Sequence, residues 1–146
     1  METGFLAHSG RYGYASERHM FYGSGKIVLV EDKATGERML PGGHPEASET
    51  PEETLAREVS EEACAVVQKA VYLGVQQVDD GAQRYYQMRF WAAVRLEPFV
   101  PHFETPRRLL VDPDDFISTL NWSTPKLARA MFDAALRVEN HQKKFG

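Results

Sequence analysis

The sequence predicts an α/β fold, an α/β/α sandwich in which a mixed sheet lies between helices. Three observations support this prediction: the segment at residues 26–30, whose last four residues are all apolar, a long alternating segment at residues 84–95, and two amphipathic helical segments. Strand and helix patterns that alternate along the chain favour such a layered arrangement. At 146 residues the chain is long enough to bury one core, so we expect a single domain over residues 1–146.

The N-terminal part is predicted to contain a strand that is buried on both faces. Residues 1–18 are rich in Gly, Ser and Tyr and fit either an edge strand or an ordered arm, and both alternatives stay open. The segment at residues 26–30 is a lysine followed by four apolar residues, a pattern typical of a strand covered on both sides. Residues 33–37 indicate a turn, and residues 38–40 indicate a short strand that leads into a pair of glycines.

A helix with a well-marked N-terminus is predicted from Pro51 to about residue 65. Thr50 suits the N-cap, Pro51 the first helical position, and Glu53 the capping-box position three residues after the cap. With about 100° of rotation per residue, the side chains separate into an apolar arc and a neighbouring acidic arc. The apolar arc contains Leu55, Ala56, Val59, Ala63 and Val66. The acidic arc contains Glu58, Glu61 and Glu62.

The acidic arc is predicted to bind a divalent metal ion. Residues 46–62 contain seven glutamates and one basic residue, Arg57, so they carry a charge of −6 although the whole chain carries only −4. Like charges at i,i+3 and i,i+4 destabilise a helix unless a cation neutralises them. Because Mg²⁺ and Mn²⁺ prefer hard oxygen ligands, three carboxylates on one face indicate such a site. For three glutamates alone, the structural alternative is a solvated surface.

The second half of the chain predicts a hairpin, a further strand and two helices. Asp80 and Gly81 suit the hairpin turn. The strand after this turn alternates between two faces, one of which carries Phe90 and the other Trp91. The predicted elements are strands at 71–79, 84–95 and 107–111, a short helix at 113–119, and a longer amphipathic helix from Pro125.

One spacing in this chain is far more specific than the helix pattern. A glycine, five residues, a glutamate, seven residues and then Arg-Glu-apolar-x-Glu-Glu follow one another, with Leu-Pro-Gly-Gly at residues 40–43 as the entry. The positions are Gly43, Glu49, Arg57, Glu58, Val59, Glu61 and Glu62. This order resembles the Nudix box of the Nudix hydrolases, and of their MutT-like members in particular.

The end of the box departs from the family pattern. Cys64 and Ala65 stand where a glycine and an aliphatic residue are usual in the family. We interpret Cys64 as a small side chain at a tight helix exit. The alternative is a reactive thiol.

The resemblance implies a Nudix-type fold and a metal-dependent pyrophosphohydrolase, in which water attacks phosphorus in a nucleoside di- or triphosphate derivative. It implies Mg²⁺ or Mn²⁺ as the cofactor, with Glu58 and Glu62 as direct ligands and Glu61 at a further metal or its water. The backbone carbonyl of Gly43 is a further ligand by the same resemblance. Arg57 is included among the catalytic residues because it is expected to form an ion pair with Glu49. This pair fixes the loop against the helix and is a structural role.

The general base and the substrate contacts are encoded more weakly. By resemblance the base is Glu58 or Glu61, or a carboxylate on a distant loop, for which Glu104 is the best candidate. The acids at positions 112, 114 and 115 follow as candidates, and a turn or helix-cap role is the alternative for each. For substrate binding we predict Tyr85 and Arg89, against the alternative that strand residues belong to the core. Asn121 is similar in placement to a base-reading asparagine of MutT-like triphosphatases, and the alternative for it is a helix-entry loop.

The overall composition favours a small-molecule substrate. One cysteine excludes an intramolecular disulfide and suits a reducing compartment, and no apolar stretch has the length of a signal sequence or membrane span. We therefore expect a cytoplasmic protein, monomer or homodimer, with a nucleotide as ligand and neither membrane nor duplex nucleic acid as partner. The rival hypotheses are a hydrolase of ADP-ribose or dinucleoside polyphosphates, and a non-catalytic nucleotide-sensing module.

Overall fold

The computed structural model describes residues 15–22, 25–79, 81, 84–101, 104–120 and 125–145. Its strands form one seven-stranded sheet. The strands are β1 (Ala15–Tyr22), β2 (Ile27–Glu31), β3 (Arg38–Met39), β4 (Gly42–Gly43), β5 (Ala65–Asp79), β6 (Arg84–Leu96) and β7 (Arg107–Val111). The helices are α1 (Pro51–Ala63), α2 (Phe116–Leu120), which follows a 3-10 helix at Pro113–Asp115, and α3 (Pro125–Phe145).

The sheet is mixed, as predicted. Its main path runs β3-β2-β1-β6-β5, with β4 paired to β1 and β7 paired to β2. β1 lies parallel to β6, from Ala15 opposite Gln87 to Tyr22 opposite Val94, and the other pairs are antiparallel. β1 is therefore an internal strand, so the edge-strand alternative is wrong for residues 15–18, while residues 1–14 lie outside the described part.

The sheet separates two apolar clusters, which confirms the α/β/α sandwich. Alternate residues of β2 enter opposite clusters because side chains of a strand alternate between its faces. The first cluster lies under α1 and contains Val28, Val30, Leu55, Val59, Ala63, Ala65, Phe90, Ala92 and Val94. The second lies under α2 and α3 and contains Ile27, Leu29, Leu40, Trp91, Phe116, Leu120, Met131, Phe132 and Ala135.

The predicted start of α1 is confirmed and its predicted end is two residues too late. The Thr50 side chain accepts from the Glu53 N–H at 3.1 Å, and the Glu53 carboxylate accepts from the Thr50 N–H at 2.8 Å. The helix ends at Ala63 because Cys64 adopts the left-handed conformation, φ 52° and ψ 50°. Val66 is consequently part of β5 and not of the apolar face of α1, and Ala56 is exposed.

The left-handed turn at Cys64 also explains why β5 is longer than predicted. The chain enters the sheet at once, so β5 begins at Ala65 and not at residue 71. Two irregularities, between Val67 and Lys69 and between Tyr72 and Gly74, interrupt its pairing with β6. Such bulges break the regular alternation of side chains that a strand prediction depends on.

No helix within the described ranges is long and apolar enough to cross a membrane.

Candidate active site

The carboxylate of Glu58 lies against the backbone of Gly43. A Cβ built on Gly43 would stand 2.6 Å from Glu58 Cδ and 2.7 and 2.8 Å from its two carboxylate oxygens. Real Cβ atoms do not approach other atoms so closely, so only a glycine leaves room for this carboxylate. The Glu58 side chain is 14 % exposed and is held on α1, whereas Gly43 is held in β4 opposite Ser16 of β1.

Glu62, one turn further along α1, meets the neighbouring glycine. Its Oε1 accepts a hydrogen bond from the Gly42 N–H at 2.9 Å, and the residue is 7 % exposed. Buried carboxylates are costly unless charge or hydrogen bonds compensate them, and the backbone N–H supplies one such bond. Two consecutive glycines thus receive two carboxylates from the same face of α1.

Arg57 holds the remaining carboxylates together. Its Nε donates to Glu49 Oε2 at 2.7 Å and its Nη2 to Glu49 Oε1 at 3.0 Å, which is the bidentate pairing of a guanidinium with a carboxylate. Its Nη1 donates to Glu58 Oε1 at 2.7 Å and to Glu61 Oε1 at 3.2 Å. Nη2 also donates to the His44 carbonyl at 3.0 Å. The predicted ion pair between Arg57 and Glu49 is therefore present.

The loop before α1 is fixed through Glu49. The Arg57 hydrogen bond, followed by that from the Glu46 N–H, lowers the pKa of the Glu49 carboxyl from 4.5 to about 2. The Thr54 hydroxyl donates to the same carboxylate at 2.9 Å. In turn, the hydrogen bond to Glu49 raises the pKa of Arg57 above its ordinary value. Both groups therefore stay charged throughout the neutral range, and the loop remains attached to the helix.

The donor atoms are of the chemical type that a hard divalent cation prefers. Glu58, Glu61 and Glu62 supply carboxylate oxygens from one helix face, and the cleared space at Gly43 brings one of them onto the β4 backbone. In the described part of the chain, no three His, Cys, Asp or Glu side chains converge closely enough to hold a metal. Glu58 and Glu61 instead share the cationic Nη1 of Arg57, and Glu62 turns to Gly42.

Glu104, the predicted distant base, lies in the segment between β6 and β7. Its carbonyl accepts from the Lys33 N–H at 2.9 Å, and the residue is exposed. With Asp32, Lys33 and Ala34 it lines an open cavity of about 460 Å³. The acids considered after it lie at a helix start, as their alternative interpretation required: Asp112 pairs with Lys26, and the other two belong to the 3-10 helix.

The residues predicted to bind substrate lie in the sheet or outside the described part of the chain. Arg89 is only 2 % exposed, and its guanidinium donates to Gln76 Oε1 at 2.8 Å and to Gln87 Oε1 at 2.6 Å. The Gln76 contact joins β5 to β6, and the substrate-binding role of Arg89 stays a prediction. Tyr85 pairs with Val78 in β6, and Asn121 lies outside the described residues.

Sequence reasoning missed two residues that bind the C-terminal end of α1. The Thr105 hydroxyl donates to the Glu62 carbonyl at 3.1 Å. Arg108 Nη1 donates to the carbonyls of Ala63 at 2.9 Å and Cys64 at 3.2 Å. Each pair is separated by more than 40 residues, so no local spacing could have indicated these contacts.

Comparison with known proteins finds a matching family model and similar solved structures. Residues 19–143 match the family model of the NUDIX domain. No curated protein sequence matches the chain. Among solved structures, a Bacillus subtilis pyrophosphohydrolase, BsRppH, is 30 % identical with a TM-score of 0.60, and the match covers 66 % of this chain and 60 % of that one.

Two further structures share the fold at lower identity. The MutT protein of Bacillus halodurans is 20 % identical with a TM-score of 0.63, over 73 % of this chain and 72 % of that one. A NUDIX hydrolase from Nitrosomonas europaea is 19 % identical with a TM-score of 0.67, over 90 % of this chain and 88 % of that one. At these identities the similarity extends to the fold alone.

Proposed function

The chain belongs to the NUDIX family of hydrolases, and from that premise we propose that it is a divalent-metal-dependent pyrophosphohydrolase. Its substrate is a nucleoside di- or triphosphate derivative, in which water attacks phosphorus and cleaves a phosphoanhydride. The observation that carries this proposal is the Glu58 carboxylate against Gly43, beside the Glu62 carboxylate on Gly42. A helix that places acids against two glycines brings carboxylate oxygens close to the β4 backbone.

Glu58 and Glu62 would hold Mg²⁺ or Mn²⁺ directly, with the Gly43 carbonyl as a further ligand and Glu61 at a second ion or its water. When bound, such an ion neutralises the phosphate charge, orients the diphosphate and acidifies a water molecule. Glu61 is suited to the outer position because its side chain is 44 % exposed, whereas those of Glu58 and Glu62 are largely covered.

The residues of the chain orient the carboxylates and take the proton. Arg57 Nη1 holds one carboxylate oxygen of Glu58. Because both oxygens belong to one rigid carboxylate group, this bond also orients the second oxygen. A carboxylate accepts the proton of the attacking water, the new P–O bond forms, and the bridging P–O bond breaks. Glu58 and Glu61 stand in the acidic cluster for this role, and Glu104 stands on the neighbouring segment as the alternative base.

The cysteine content and the charge distribution of the chain agree with a nucleotide hydrolase of the cytoplasm. Cys64 is the only cysteine of the chain, which suits a reducing compartment. The −6 charge of residues 46–62 suits an anionic ligand bridged by metal ions and opposes binding of duplex nucleic acid through this face.

An assay of phosphate and pyrophosphate release across a nucleotide panel tests the proposal. The panel contains nucleoside triphosphates, nucleoside diphosphate derivatives, ADP-ribose and dinucleoside polyphosphates, each with Mg²⁺, with Mn²⁺ and with EDTA. We expect turnover on a di- or triphosphate derivative that EDTA abolishes. Turnover that survives EDTA contradicts the metal requirement, and no turnover on any compound favours the nucleotide-sensing alternative.

A further inference from the structure

The C-terminal end of α1 is capped by one distant segment. The last carbonyls of a helix have no partner within it, and α1 has no basic residue in its last turn. Thr105 takes the Glu62 carbonyl, while Arg108 takes those of Ala63 and Cys64. The Glu97 N–H also donates to the Cys64 carbonyl at 2.9 Å. Glu97 and Thr105 lie in the segment between β6 and β7, and Arg108 is the second residue of β7.

Thr105 acts on a residue of the candidate site. Its side chain is fully buried, and its hydroxyl meets the backbone of Glu62. The carboxylate of that same Glu62 accepts the Gly42 N–H at 2.9 Å. Glu62 is therefore held at its backbone by Thr105 and at its side chain by the loop that carries Gly43. These hydrogen bonds form one continuous connection from the β6–β7 segment through α1 to the two glycines.

Arg108 strengthens this connection from the sheet side. Its Nη1 also donates to the Glu97 carbonyl at 2.8 Å, so one guanidinium nitrogen links the end of α1 to the end of β6. The guanidinium lies 5.3 Å from the centre of the Phe99 ring. A rotation or slide of the last turn of α1 would break several of these bonds together.

We infer that Thr105 is a positioning residue, which sets Glu62 and the last turn of α1 against the Gly42–Gly43 backbone. Its hydroxyl thereby maintains the metal-binding geometry of the carboxylates without contacting substrate. The metal part of this inference rests on the proposed function. Residues behind the ligands of a metal site commonly change metal affinity or activity by about 10- to 100-fold when they are replaced.

Paired substitutions at Thr105 test the inference. Thr105→Val keeps the shape and removes the hydroxyl, which leaves the buried Glu62 carbonyl without this donor. Thr105→Ser keeps the hydroxyl. Amide hydrogen exchange at Gly42, measured by NMR without metal, reports the bond to Glu62. A calorimetric titration with Mn²⁺ measures the dissociation constant of the metal from the carboxylates. Steady-state kinetics measures kcat and KM separately.

For Thr105→Val we expect faster Gly42 exchange, a Mn²⁺ dissociation constant raised by about 10-fold, and a lower kcat with little change in KM. For Thr105→Ser we expect all three to stay close to wild type. Ala128→Gly, in the buried face of α3, is the control for general destabilisation, and it should leave the Mn²⁺ affinity unchanged.

Three results would overturn the inference: native Gly42 exchange in Thr105→Val, equal defects in the Val and Ser variants, or an equal defect in Ala128→Gly. Arg108→Met provides a second variant, which should weaken Mn²⁺ binding in the same direction, and native affinity in it would also count against the inference. Failure of the proposed function is distinguishable, because wild-type protein would then bind no Mn²⁺ or turn over no nucleotide. The Gly42 exchange still decides the role of Thr105 in that case.

Discussion

The carboxylate of Glu58 occupies the space that a side chain on Gly43 would need. The three carboxyl atoms stand 2.6–2.8 Å from the position of a Cβ on that glycine. Gly43 does not adopt a positive φ, so the reason for glycine here is room and not backbone conformation. The close approach joins α1 to β4 at the candidate metal site.

We expect Gly43→Ala to lower kcat/KM while leaving the fold largely intact. The added methyl group displaces the Glu58 carboxylate, which is the far end of a flexible side chain and moves at low cost. The free energy of unfolding should fall by about 1 kcal/mol or less, whereas kcat/KM should fall by at least about 10-fold because the carboxylate leaves its position. Urea denaturation and steady-state kinetics measure the two effects.

A double-mutant cycle with Glu58→Ala shows whether the clash is the cause. In the Glu58→Ala background the methyl group at position 43 has no carboxylate to displace, so its effect on unfolding should become smaller. An unchanged effect in that background would mean that the methyl group meets something other than Glu58.

The ion pair between Glu49 and Arg57 predicts a pH dependence of stability with a definite sign. The pKa of Glu49 is lowered from 4.5 to about 2 in the folded chain, chiefly by the Arg57 hydrogen bond. Between these values the unfolded chain binds a proton that the folded chain does not, so the free energy of unfolding rises with pH. The contribution is fully present above about pH 4.5 and is lost as the pH falls to about 2.

Glu49→Gln should therefore be less stable than wild type at neutral pH, and the difference should shrink as the pH falls from 4.5 to 2. Urea unfolding across this range measures it. The same comparison in an Arg57→Gln background is the control, because Arg57 provides the largest part of the shift. A difference that stays constant with pH, or one that keeps its pH dependence without Arg57, would contradict the assignment.

The parts of the site that the sequence predicts correctly depend on short spacings. Thr50 and Glu53 are three residues apart, and the acids of α1 lie within one helical turn. The regular geometry of a helix therefore fixes their relative positions. The ion pair of Arg57 with Glu49 was expected from the family resemblance, and the structure adds that it is bidentate. By contrast, the early start of β5 depends on a left-handed Cys64, a conformation that residues other than glycine adopt only uncommonly.

The parts that it misses depend on contacts between distant residues. Thr105 and Arg108 reach α1 across more than 40 positions, and a lone threonine or arginine in a connecting segment has no pattern that marks it as a helix cap. Arg89 belonged to an alternating strand with both faces predicted correctly, yet its burial against Gln76 depends on the pairing register of β5 and β6.

The left-handed Cys64 gives a prediction on stability. A non-glycine residue in this region costs about 1–2 kcal/mol, whereas glycine costs about 0.5–1 kcal/mol in chain entropy. Cys64→Gly should therefore be as stable as wild type or slightly more stable. Cys64→Val should be destabilised by about 1–3 kcal/mol, because a β-branched side chain tolerates a positive φ poorly. Urea denaturation measures both.

Gly36→Ala is the matched control for the backbone term. Gly36 has a φ of +74°, and no atom lies within 4 Å of an added Cβ, so its replacement measures the conformational cost without a clash. This variant should be destabilised by about 1 kcal/mol. If Cys64→Gly is clearly less stable than wild type, side-chain contacts outweigh the backbone term. Such contacts include those of Cys64 Sγ with the Val100 N–H at 3.4 Å and with the Val100 carbonyl at 3.5 Å.

Glu58→Gln provides the most direct test of the role proposed for α1. The amide keeps the size of the side chain and an oxygen that accepts from Arg57 Nη1, so the fold should be retained with a change in unfolding free energy below about 1 kcal/mol. Because the charge that a dication requires is lost, turnover should fall by at least about 100-fold, or about 2.7 kcal/mol of barrier, and Mn²⁺ affinity should fall with it. Glu52→Gln, at an exposed glutamate of the same helix, should leave both unchanged. Near-normal turnover in Glu58→Gln would remove this carboxylate from the reaction and move the search for the essential acid to Glu61 and Glu104.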